Sequence, residues 1–61
     1  MITVTVIINN KETKLNLDEM RLYDRYQQEF PEVDMPSDDD VVQYYIDENY
    51  PDATEFWIDY A

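Results

Sequence analysis

The sequence contains no cysteine, no histidine and no glycine, and no lysine or arginine after Arg25. Each absence removes a class of chemistry. Without cysteine there is no disulfide framework and no thiol nucleophile. Without histidine, the lone Ser37 has no imidazole to activate it, and a Cys–His zinc site is ruled out. Without glycine, neither a P-loop nor a dinucleotide-binding turn can form, and positive-φ positions fall to Asn and Asp. No apolar run approaches the ~20 residues needed to span a bilayer. Residues 1–8 are apolar but alternate with threonine and carry no basic segment, so they read as strand rather than leader.

What is present is acid, and it is segregated. Up to Arg25, four basic residues (Lys11, Lys14, Arg21, Arg25) balance four acids (Glu12, Asp18, Glu19, Asp24). From Tyr26 onward there are eleven acids and no base, so the formal charge of -11 is a local field. Such a field opposes folding by self-repulsion but accelerates and selects encounter with a basic partner. Solubility alone would be served by mixed signs. An anionic membrane would be repelled. With only four balanced cations there is no phosphate-binding patch, so direct nucleic-acid binding is not expected.

Sixty-one residues imply a single domain over 1–61, which buries about 60% of its unfolded surface. The hydrophobic fraction of 44% with 15% aromatics argues against disorder despite the charge. The aromatics predict an aromatic-rich core built on Tyr26, Tyr45, Phe30 and Phe56, with Ile58. Support from a second copy, as a homodimer, or from a partner stays open at this size.

Ile2, Val4, Val6 and Ile8 alternate with Thr3 and Thr5 and predict a half-buried strand. Asn9-Asn10-Lys11-Glu12 predicts a tight turn, and the alternation from Thr13 to Leu17 a second strand. Asp18 is the expected N-cap of a helix over 19–30 that buries Leu22, Tyr26 and Phe30 and ends at Pro31. Residues 31–36 form a stiff connector. Ser37 followed by Asp40 resembles a capping box. Asp38, Asp39 and Asp40 then open a second helix to about Asn49, burying Val41, Val42, Tyr45 and Ile46, with Pro51 as its stop. Thr54, Phe56, Ile58 and Tyr60 alternate with Glu55, Trp57 and Asp59, which predicts a third strand; a short helix over the same residues is the competing reading. The order ββααβ gives an α+β two-layer domain, a three-stranded antiparallel sheet with two helices on one face and the first strand in the middle.

Paired carboxylates alone would permit acid–base or metal-assisted hydrolysis, but two helices on three strands leave no evident cleft in which they could converge. Three consecutive Asp do not match the alternating acids, sixth-position Gly and twelfth-position Glu of a calcium loop. Weak adventitious divalent binding is therefore expected, with no dedicated metal and no cofactor. The expected protein is not an enzyme.

A different use follows from spacing. B-DNA carries one charge per ~1.7 Å of axis, and a helix rises ~1.5 Å per residue. Acids projected from the second helix can therefore stand at phosphate-like separations. The candidate partner-binding set is Glu29, Glu32, Asp34, Asp38, Asp39, Asp40, Tyr44, Asp47, Glu48, Asp52, Glu55, Trp57 and Asp59, with Tyr44 and Trp57 as aromatic anchors. In size, charge and aromatic content over its whole length, the chain resembles the small acidic proteins that phages make against host defences. These include anti-restriction and anti-CRISPR proteins, uracil-DNA glycosylase inhibitors and other DNA mimics. That resemblance implies a basic nucleic-acid-binding partner of nuclease, CRISPR effector, glycosylase or polymerase type, met in the cytoplasm of a host cell and blocked competitively. The alternative expectation is an antitoxin-like or accessory interaction module that binds a basic protein away from its nucleic-acid site.

Overall fold

A computed structural model describes residues 1–59. The chain runs β1 (Ile2–Ile8), β2 (Lys11–Leu17), α1 (Glu19–Glu29), α2 (Asp38–Asn49) and β3 (Ala53–Asp59). It is a small α+β fold whose antiparallel sheet has the order β2-β1-β3. Residues 54–59 are strand, not helix; Tyr60, expected to extend it, lies outside the described residues.

The most apolar strand takes the centre because only there are both edges paired. Asn9 and Asn10 make the β1–β2 turn alone, with φ of 52° and 64°, the geometry whose twist suits a two-residue hairpin. The second strand consequently begins at Lys11, two residues earlier than the alternation implied. Asp18 caps α1 by accepting from the Met20 N–H at 3.0 Å. The helix stops at Glu29, with Phe30 already out of helical geometry ahead of Pro31. Ser37 Oγ accepts from the Asp40 N–H at 3.2 Å. The return half of the capping box is not made among the described residues, since an Asp side chain is one methylene shorter than the usual Glu.

β1 and β3 are in plain register from Thr3↔Asp59 to Ile7↔Glu55, then shift so that Ile8 meets Ala53. Thr54 is the extra residue of this bulge, and its hydroxyl donates to the Ile7 carbonyl at 3.5 Å. The shift turns Ala53 inward against the core while Glu55 stays exposed, although the two are of the same parity along the chain.

The core lies between one sheet face and both helices: Val4, Val6 and Leu17 from the sheet, Leu22 from α1, and Val41, Val42 and Ile46 from α2. It is aliphatic. The expected aromatic core is corrected here, because Tyr23, Tyr26, Tyr45, Tyr50 and Phe56 are only half-buried around this cluster. Two thin layers enclose a valine fully but leave one edge of a larger ring at the rim. Phe30 packs instead with Tyr26 and Tyr44, at ring centroid distances of 4.8 and 5.6 Å. Among the described residues no helix is long and apolar enough to cross a membrane.

Candidate functional site: two acidic faces

Burial fixes which side of α2 looks outward. Val41, Val42 and Ile46 face the sheet, so Asp40, Gln43 and Asp47 run along the opposite side, with Asp39 beside them at the N-terminal end. Asp39, Asp40 and Asp47 are exposed and carry no salt bridge among the described residues. Asp40 and Asp47 are separated by about 10 Å of helix axis. Gln43 Nε2 donates to Asp47 Oδ1 at 2.9 Å and holds that carboxylate along the stripe. Glu29 at the end of α1, and Glu32 and Asp34 in the connector, continue the exposed acid toward the start of α2. Gln27 Nε2 donates to the Val33 carbonyl at 2.8 Å and ties that connector back to α1.

Three of the expected contact residues also make contacts within the fold. Asp38 is half-buried and accepts a hydrogen bond from the Tyr23 hydroxyl, joining the start of α2 to α1. Glu48 accepts from Arg25, Nη2 to Oε2 at 2.9 Å and Nε to Oε1 at 3.4 Å, and from the Tyr44 hydroxyl at 3.1 Å. The hydrogen bond from Arg25, aided by that from Tyr44 and by the guanidinium charge, outweighs partial desolvation and holds the Glu48 carboxyl below its ordinary value. Arg25 is raised by the same bond. Tyr44 is half-buried, with its ring edge-on to Tyr26 at 5.8 Å and to Phe30 at 5.6 Å. Partial burial, and then the Glu48 bond, raise its hydroxyl pKa. Tyr44 is therefore a strut between the helices.

The remaining candidates stand elsewhere. Asp52 is exposed in the turn before β3. Glu55, Trp57 and Asp59 belong to β3, paired with Ile7, Thr5 and Thr3, on the sheet face opposite the helices. The acids are thus divided between the outside of the helical layer and the open side of the sheet. A single acidic surface over residues 29–59 does not form.

Sequence reasoning missed two features. Arg21, Leu22 and Arg25 from α1, with Tyr44, Tyr45 and Glu48 among the residues from α2, line a groove of about 390 Å³ between the helices. Balanced counting of charges hid it, because the two arginines are brought together only by helix spacing. The second is Thr5, whose side chain is 2% exposed on the open sheet face, beside Trp57, and whose hydroxyl donates to Asp59 Oδ2 at 3.4 Å. Among the described residues no group of three or more acids converges in a way that could hold a metal ion.

No protein-family model matches this chain, and neither a curated protein nor a solved structure is significantly similar to it.

Proposed function

We propose that this chain is a non-enzymatic acidic inhibitor that occupies the positively charged nucleic-acid-binding surface of a basic protein and competes with DNA or RNA. The observation that carries this reading is the outward stripe of α2, where Asp39, Asp40 and Asp47 stand exposed without cationic partners among the described residues. Carboxylates at one end of the stripe are favoured by the helix dipole, whereas Asp47 near the other end is opposed by it. Local stability does not account for that acid. A Lys- and Arg-lined channel would gain from all of them. The reading places contact on the helical layer and predicts strong dependence of binding on salt.

The alternative, an acidic interaction module that binds a basic protein away from its nucleic-acid site, is favoured by one observation. Glu55, Trp57 and Asp59 present a ring and two carboxylates on the other side of the molecule, an arrangement unlike a phosphate backbone.

A pull-down from bacterial lysate, repeated with excess duplex DNA at two salt concentrations, tests the reading. A basic nucleic-acid enzyme retained at low salt and displaced by DNA supports inhibition by mimicry. A partner held regardless of DNA supports the module. Retention undiminished by the combined change Asp39→Asn, Asp40→Asn and Asp47→Asn refutes the role given to α2.

A further inference from the structure

The open face of the sheet carries a second binding element. Three residues of β3 file along it, Glu55, Trp57 and Asp59, each two positions from the next and hence about 7 Å apart. Trp57 is 42% exposed, whereas the neighbouring aromatics on β3 and both helices are at least half-covered. Its cross-strand neighbour Thr5 is buried, so the indole is seated on the sheet. Thr5 also makes a long diagonal hydrogen bond, 3.4 Å, to one carboxylate oxygen of Asp59, leaving the other available beside the ring. Lys14 pairs with Thr5 from the far strand and makes no salt bridge, and no cation of the chain lies over the indole among the described residues.

We propose that this face receives an arginine side chain of a basic partner, with Trp57 as the stacking platform and Asp59 and Glu55 flanking the guanidinium. The partner's chemistry follows from charge complementarity. An aromatic face attracts a cation over its centre, and arginine more often than lysine. Carboxylates on either side extend that preference and disfavour an anion. A second copy is a poor occupant, because the face carries Glu12, Glu55 and Asp59 against Lys14 alone and each chain brings a net charge of -11. The inference rests on the proposed basic partner and adds a contact on the side away from α2. Nothing in a nucleic-acid backbone corresponds to it, so it confers selectivity for a particular protein rather than for any basic channel.

The chain has one tryptophan, so its fluorescence reports on this face alone. An acetylated triarginine peptide is titrated into the full chain, alongside the same peptide with citrulline at each position. The expected result is a saturable change in Trp57 emission with arginine and none with citrulline. By polarisation of a labelled peptide, Trp57→Ala weakens binding about two- to fivefold. Trp57→Phe retains most of it, and circular dichroism verifies that both variants fold. The Asp39, Asp40 and Asp47 triple variant keeps the Trp57 response. Peptide binding that leaves Trp57 emission unchanged, or a response lost in the triple variant, overturns this inference and leaves the inhibitor reading standing. A self-associated state in sedimentation that buries Trp57 overturns it as well. A preserved Trp57 response with no DNA-displaceable partner in lysate refutes the inhibitor reading alone.

Discussion

Asp40→Asn and Asp47→Asn remove the same charge from the same exposed stripe, yet Asp47→Asn should be the more stable of the two. Each takes the net charge from -11 to -10, so the relief of overall self-repulsion largely cancels between them. Their positions along α2 differ. Asp40 stands in the first turn, where a carboxylate is favoured by the helix dipole; losing it costs about 0.3–1 kcal/mol. Asp47 stands in the last turn, which has no basic residue to offset it; losing it stabilises by a comparable ~0.3–1 kcal/mol. The Gln43 hydrogen bond survives, because an Asn side-chain carbonyl accepts as Asp47 Oδ1 does. The direct Asp40–Asp47 repulsion is removed in both variants; over about 10 Å in water it is only ~0.4 kcal/mol before screening. The two variants should therefore differ by about 0.6–2 kcal/mol. For a small domain with a urea slope near 1 kcal/mol/M, that is a separation of ~0.6–2 M in midpoint. Urea titration followed by circular dichroism, at low and at high salt, measures it, and the separation should shrink with salt. Equal shifts in one direction would mean that only total charge matters. If Asp40→Asn proved the more stable of the two, the dipole argument, and with it the claim that Asp47 is held against local stability, would be wrong.

Ile46→Ala removes a side chain 2% exposed in the aliphatic core and should cost about 2–5 kcal/mol. A domain this small holds only ~3–5 kcal/mol in total, so circular dichroism should find the variant largely unfolded at 37 °C, while Met35→Ala at a 91% exposed site changes little. Glu48→Gln tests the interhelical lock. Because the Glu48 carboxyl lies below its ordinary value of 4.5 in the folded protein, its contribution is present above that value and lost as pH falls through the folded one. Thermal melts should show the variant less stable than the parent at neutral pH, with the gap closing as acid protonates the folded Glu48 carboxyl; a gap unchanged by acid would exclude the Arg25 pairing as its cause.

The elements were legible because their signals are local. Alternation in Ile2 to Ile8, the Asn9-Asn10 turn, caps at Asp18 and Ser37, and stops before Pro31 and Pro51 each act within a few residues. The boundaries that moved, such as the start of β2 at Lys11, moved by residues that a two-residue turn releases to the ladder. Charge segregation was equally plain, since it is a property of order along the chain. The destinations of the acids were not. Asp38 and Glu48 resemble Asp40 and Asp47 in composition and spacing, yet Tyr23 and Arg25 reach them only because α1 packs against α2. Tyr44 became a strut for the same reason. Glu55, Trp57 and Asp59 stand behind the molecule because β3 pairs with β1 so that its alternation sends Phe56 and Ile58 to the core, and only the bulge at Thr54 adds Ala53 to them. Sequence by itself determined the elements, their order and the sign of the field; the tertiary packing decided which carboxylates are hydrogen-bonded between the helices, and that the rest face two ways, because contacts between distant segments set those positions.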